Sequence, residues 1–341
     1  MNENHHPHDR FFKELFSRPE VSRDFLINYL PGEITEILDL SSLELTKDTF
    51  IDKELREHFS DMLCKMKLKS GGAVYVYALL EHKSRPERLT SFQVLRYMVK
   101  IWERDIRIYR QKRKQMKKKG VTLPVFHLSP IIPAVIYHGA EKWNISPDFR
   151  ELFQTHPAMD GFIPDFSHLL FDISHYDDDE IKGMVMLRVG LLMMKYIFRD
   201  DLAENLPGIL SLLRDLAGKR TGLEYLETVA IYLVKATGRL TETELVSAME
   251  KSLPSGGELM ETIAERWMKR GEIRGEIKGE IRGKISGLLT GIETGLELKF
   301  GQEGLGILPE IRTINDVGML ISIQKGLLKV KSLHELRKIY N

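Results

Sequence analysis

A single cysteine, Cys64, stands in a chain of 341 residues, which excludes a disulfide framework and a thiolate metal cluster. Neither sign of charge dominates. With 50 Lys and Arg against 49 Asp and Glu the formal net charge is +1, so attraction to a polyanion has to come from a local patch. No apolar run reaches the roughly 20 residues needed to cross a bilayer. The most hydrophobic stretch, 184–198, is interrupted by Arg188 and Lys195 and reads as a buried helix. The opening Met-Asn-Glu-Asn-His-His-Pro-His has no apolar segment after a basic one, so no secretory signal is expected and the cytoplasm is the expected compartment. Its histidines, His5, His6 and His8, read as a mobile terminus rather than a metal cluster.

What is present centres on a hairpin over 61–83. Met62, Cys64, Met66 and Leu68 alternate with Asp61, Leu63, Lys65 and Lys67, and Val74, Val76, Ala78 and Leu80 alternate with Tyr75, Tyr77, Leu79 and Glu81. Ser70-Gly71-Gly72 forms the turn, where glycine supplies a positive φ. Pairing Lys69 with Ala73 sets Met66 opposite Val76, Cys64 opposite Ala78 and Met62 opposite Leu80. The same register sets Asp61 opposite Glu81, and directly opposed like charges repel. Lys83, two residues on, shares the face of Glu81. Two carboxylates beside an ammonium suit a hard cation, Mg2+ or Mn2+. An exposed strand end, with Lys83 merely screening Glu81, is the alternative.

Elsewhere the pattern predicts helices over 9–16 and 20–30, separated at Arg18-Pro19, and a first strand over 43–51. Asp9 reads as a helix cap and Glu14 as solvated. Thr90 and Gln93 have capping-box spacing and open a helix whose buried stripe is expected to be Phe92, Leu95, Val99, Trp102, Ile106 and Tyr109. Gln93, Arg96, Lys100, Arg104 and Arg107 line another of its faces. A dense basic run follows over 110–119, containing Lys112, Arg113, Lys114, Lys117 and Lys118. Residues 131–137 read as a strand, with Pro133 at a bulge or unpaired edge. His138 reads as a loop-holding imidazole. Beyond about residue 148 the pattern turns helical. Glycines then recur every four residues from Gly271 to Gly295, with Glu272, Glu276 and Glu280 in one row and Arg274, Lys278 and Arg282 in another. Such a helix is marginal alone and reads as a self-association element; a flexible tether is the competing reading.

Asp61 followed by Glu81-His82-Lys83 is the pattern of PD-(D/E)xK phosphodiesterases. Leu79-Leu80-Glu81-His82-Lys83-Ser84 with 92–103, His8-Asp9-Arg10-Phe11-Phe12-Lys13, and Ile132 to Gly139 strongly resemble the Rpn family of recombination-promoting nucleases, also described as transposases. Many members carry Gln where this chain has Lys83, so the departure is toward the general nuclease pattern. The resemblance implies an α/β fold, a restriction-endonuclease-like core of a small mixed sheet flanked by helices, followed by a helical C-terminal region. It divides the chain into a nuclease-like domain over 8–145, a helical domain over 146–256, the glycine repeat over 257–300 and a helical tail over 301–341. It implies Mg2+-dependent DNA cleavage of low specificity. Asp61, Glu81 and the carbonyl of His82 would hold the ion, Lys83 would orient water, and Gln93 would support Lys83 or the water. In that superfamily an acid on the first helix sometimes joins the metal site, which leaves Asp9 and Glu14 open. Arg96, Lys100, Lys112, Arg113, Lys114, Lys117 and Lys118 would meet DNA phosphates; a solvated helix face is the alternative for them. A DNA-binding accessory protein that does not cut, and a purely structural oligomer, are the rival functions.

Overall fold

The computed structural model describes residues 7–45, 62–71, 75–216, 219–236, 242–253 and 256–340, with side chains described except at 75–81, 242, 256–264, 266–278 and 280–281. The chain divides into two compact units, Met1–Met260 and Glu261–Asn341.

The first unit is built on a mixed five-stranded sheet in the order β1 (Leu38–Leu45), β2 (Met62–Leu68), β3 (Tyr75–Lys83), β4 (Ile131–Tyr137), β5 (Leu169–Asp172). β1 to β3 are antiparallel, and β4 and β5 continue parallel to β3. The hairpin register places Met66 opposite Val76, Cys64 opposite Ala78 and Met62 opposite Leu80, as the alternation requires. Gly71 has φ 77° and donates its N–H to the Leu68 carbonyl at 3.1 Å. β1 begins five residues earlier than the sequence pattern suggests. Leu38 and Leu43 anchor it in the core, and the pairing with β2 shifts between Asp39 and Glu44, which blurs the alternation. Pro133 pairs with Leu79 before β5 joins at Ala134, so it meets the sheet where β4 still has an open side.

Helices cover both faces. On one lies α4 (Thr90–Lys118), whose Val94, Tyr97, Met98 and Ile101 pack with Leu63, Val135, Tyr137 and Trp143. This corrects the buried stripe: Phe92 and Val99 are 47% and 40% exposed. The helix has two apolar stripes, and the sheet takes the one at Val94. On the other, Trp102 still touches the sheet cluster at its edge, and both it and Tyr109 are tied to the chain returning from the helix. Trp102 Nε1 donates to the Ser129 carbonyl and the Tyr109 hydroxyl to that of Pro124, both at 2.8 Å.

On the opposite face lie α1 (Pro7–Phe16), α2 (Pro19–Tyr29) and α5 (Val185–Tyr196). Phe12 of α1 meets His82, and Phe25 of α2 meets Phe171 of β5. α2 starts on Pro19, whose missing N–H costs nothing at a first helical position. α3 (Gly32–Ile37) leads straight into β1. After α5 come α6 (Leu202–Ser211), α7 (Arg220–Ala236) and α8 (Glu242–Ser252). Position 145 separates no compact units, because β5 completes the sheet and α7 packs on α1, with Phe11 stacked on Tyr232 at 4.0 Å.

α9 (Gly256–Leu305) carries the glycine repeat as helix and is broken at Gly301, φ 60°. In the second unit its Ile292 and Leu296 form a core with α10 (Leu308–Arg312), α11 (Val317–Leu327) and α12 (Leu333–Arg337). Among the described residues no helix is long and apolar enough to cross a membrane.

The choice of stripe on α4 is directly testable by urea unfolding. Ile101→Ala is expected to cost about 2 to 5 kcal/mol, since it removes a fully packed side chain. Phe92→Ala is expected to change stability by about 0.5 kcal/mol or less, as at other exposed positions.

Candidate functional site

Lys83 ends β3, and its side chain is largely buried, 12% exposed. Its ammonium donates to Gln93 Oε1 at 2.6 Å and to Glu87 Oε2 at 2.8 Å, and Gln93 Nε2 donates to the Tyr97 hydroxyl at 2.6 Å. The short reversal from β3 into α4 brings these groups together. The capping box expected at Thr90 does not form. The Thr90 hydroxyl donates back to the Glu87 carbonyl at 2.7 Å, which tightens the reversal and leaves Gln93 for Lys83. Glu87 carries no apolar or motif signal beyond its place four residues after Lys83.

Asp61 lies outside the described residues. The described hairpin pairing stops at Met62 with Leu80, one pair short of Asp61 with Glu81. The backbone of Glu81 pairs with Val135 of β4, and that of His82 with Ile136.

His82 serves the other face of the sheet, where it is 5% exposed. Its Nδ1 lies 2.8 Å from Asp9 Oδ1 and its Nε2 2.6 Å from His138 Nε2, while His138 Nδ1 lies 3.0 Å from the Met194 carbonyl of α5. This chain ties the first helix, the ends of β3 and β4, and α5 together. A carbonyl only accepts, so His138 donates from Nδ1 and accepts at Nε2 from His82. Burial, reinforced by His82 and His8, pushes the His138 pKa well below the usual imidazole range. Asp9 is therefore a partner of His82 rather than a cap. His138 reaches across to α5 rather than holding its own loop, and His8, inside α1, lies 2.9 Å from the Tyr232 hydroxyl. Only the resemblance of the His8-Asp9 and Tyr137-His138 motifs hinted at these positions; their spacing of 73 and 56 residues from His82 carries no local signal.

A third buried imidazole, His168, lies 3.3 Å from the hydroxyl of Ser91 at the start of α4, and its Nε2 has no hydrogen-bond partner among the described residues. Burial pushes its pKa down to about 4. Cys64 is fully buried and its thiol is pushed up to about 12, a packing group rather than a ligand.

The basic residues expected to meet phosphates, Arg96, Lys100, Lys112, Arg113, Lys114, Lys117 and Lys118, are all exposed on α4. Lys100 is paired with Glu103 at 3.2 Å. Among the described residues no group of three His, Cys, Asp or Glu side chains is placed to hold a metal ion.

Two outcomes follow. Asp9→Ala strands a buried imidazole and is expected to cost about 1 to 3 kcal/mol in urea unfolding. For His168 the folded pKa lies below the unfolded value, so the unfolded state binds the proton first. Its contribution is present above about pH 6.5 and is lost as pH falls toward 4. Wild-type urea midpoints are expected to fall over that window, and less steeply in His168→Gln.

Residues 6–224 match the family described as "Putative transposase, YhgA-like". The chain is 27% identical over 266 residues to recombination-promoting nuclease RpnC of Escherichia coli strain K12, covering 78% of this chain and 82% of that protein. It is 29% identical to RpnD of Escherichia coli O157:H7, covering 76% and 93%. It is also 28% identical to the inactive recombination-promoting nuclease-like protein RpnE of strain K12, covering 78% and 82%. No solved structure matches. With the family pattern spanning well over half its length, the sheet, both helical layers and the Lys83 end of β3 included, this chain belongs to the YhgA-like transposase family.

Proposed function

We propose that the chain is a metal-dependent DNA endonuclease of low sequence specificity on a restriction-endonuclease-like core, acting in recombination or mobile-element transfer. The observation that carries this reading is the hydrogen bond from Lys83 to Gln93. It joins the motif lysine at the end of β3 to the polar residue at the start of α4. The names of RpnC and RpnD favour DNA strand cleavage, and the name of RpnE keeps open a non-cleaving DNA-binding protein.

Asp61, Glu81 and the His82 carbonyl offer oxygen donors of the kind Mg2+ or Mn2+ prefers. A bound ion would supply Lewis-acid polarisation of a phosphoryl oxygen. The chain's own contribution is positioning. Gln93, itself held by Tyr97, and Glu87 fix the direction of the Lys83 ammonium. From there Lys83 orients the attacking water and offsets negative charge that grows on the phosphoryl oxygens. The His82 chain on the opposite face fixes the ends of β3 and β4, and so the backbone that carries Glu81 and Lys83. Arg96, Lys100 and the cations beyond them meet phosphates and read no bases, which accounts for weak specificity. A Cβ added at exposed Gly279, Gly283 or Gly287 of α9 would meet nothing within 4 Å among the described residues, and this open row fits pairing with a second copy.

The test is nicking of supercoiled plasmid by purified protein with Mg2+ or Mn2+. Lys83→Ala and Asp61→Ala are each expected to lower the rate by about 100-fold or more, and Gln93→Ala by a smaller factor. Nicking at the wild-type rate by both of the first two variants overturns the assignment. DNA retention without nicking by the wild type establishes the binding protein instead.

A further inference from the structure

α4 is far longer than its packing requires. Its packing against the sheet's core cluster ends at Trp102, yet the helix runs on to Lys118 without an internal glycine or proline, and residues 110–118 are exposed apart from the partly buried Met116. At 1.5 Å per residue its 29 residues span about 43 Å.

The cations on it are ordered. Starting from Gln93, the side chains at steps of three or four are Arg96, Lys100, Arg104, Arg107, Gln111, Lys114 and Lys118, which puts all of them on one side of the helix. Only two acidic residues, Glu103 and Asp105, lie within its span, against ten Lys and Arg. Asp105 engages Arg104 and Glu103 engages Lys100, so the outer positions Arg107, Lys114 and Lys118 lie beyond the acidic residues of the helix. The returning chain covers the far side. Phe126 packs on Tyr109 at 4.8 Å between ring centres, next to the bonds from Tyr109 to Pro124 and from Trp102 to Ser129. By helical phase Trp102 and Tyr109 lie about 160 to 180° from Gln93, and the row is open to solvent at Arg96, Lys100, Arg107, Lys114 and Lys118, while Arg104 is largely buried beside Asp105.

From Gln93 to Lys118 the row runs about 37 Å, close to the 34 to 36 Å of one turn of B-form DNA. We infer that α4 is a duplex-tracking arm: beginning at the Lys83 and Gln93 site, it holds phosphates of double-stranded DNA for about one helical turn to one side of the cut. This rests on the nuclease reading for where the arm begins, and it specifies the substrate as duplex with an intact arm of about ten base pairs, not single strands or short ends. A rigid helix contacts a regularly spaced backbone, whereas a flexible single strand gains nothing from a straight row of charges 37 Å long.

The test uses the full chain and blunt, labelled duplexes of roughly 8 to 24 base pairs, with affinity per site measured by fluorescence anisotropy in chelating buffer so that no cutting intervenes. Wild-type affinity is expected to rise at least about tenfold between the short and long ends of the series, levelling once the arm is spanned, while single strands of equal length bind more weakly. In Arg107→Glu/Lys114→Glu/Lys118→Glu, three exposed positions, the rise with length is expected to disappear. The slope of log affinity against log salt on the longest duplex should become shallower by about 2 to 3, as for three lost phosphate contacts. A thermal melt checks that the variant is folded, and the wild-type length series stands without it. Affinity per site that is independent of duplex length, or equal for single strands, overturns the arm. Plasmid nicking by Lys83→Ala separates the two claims. Loss of nicking with no length dependence sinks the arm alone, and unaltered nicking with the length dependence intact sinks the nuclease site alone.

Discussion

The alternation of side chains at the end of β3 is the constraint on which the rest of the first unit depends. Successive residues of a strand serve opposite faces, so His82 and Lys83, adjacent in sequence, enter different environments. His82 enters a buried layer of α1, α5 and the end of β4, where its partners are Asp9 and His138. Lys83 meets the polar start of α4, where its partners are Gln93 and Glu87. A one-residue slip of register would exchange an imidazole that needs two buried partners for an ammonium that needs a carboxylate and water. The apolar pairs behind them, Met66 with Val76 and Cys64 with Ala78, oppose that slip.

The sheet is accordingly closed from both sides by layers of different character. The α4 side packs on the sheet as far as Trp102; beyond it Tyr109 meets the returning chain, and the last turns, 110–118, are charged and largely exposed. The α1, α2 and α5 side is mainly apolar, and the His82 chain crosses it together with buried polar groups at Ser22, Asp24 and Lys195. Placing a costly buried hydrogen-bonded chain directly behind the strand that carries Glu81 and Lys83 makes those positions rigid, since each member left unpaired would cost more than the net worth of its bond.

Legibility in the sequence followed the range of the interactions. The hairpin register could be read because two alternating runs and a glycine turn lie within 22 residues. The Lys83 to Gln93 contact could be anticipated because the two lie ten residues apart across one reversal. The stripe on α4 could not, since Phe92 with Val99 and Val94 with Ile101 have equal periodicity. Only the approach of β4 and Trp143 to one side of the helix decides between them. The pairing of Asp9 with His82 is hidden for a related reason. A carboxylate near a helix start is usually a cap, and nothing nearby in the chain announces a histidine 73 residues away.

By itself the amino-acid order determined the local pieces: the strand alternation of β2 and β3, the glycine reversal between them, the helical run that begins at Thr90, the cationic bias of its second half, and the family motifs. Those depend on neighbours within a few turns or a single loop, where periodicity and steric preference act directly. Tertiary structure alone decided that Asp9, His82 and His138 form one hydrogen-bonded chain, that β5 from beyond residue 145 completes the sheet, and which side of α4 is left bare. Each of these is a meeting of segments far apart in the chain, set by which apolar surfaces can be buried together, and no local pattern encodes that choice.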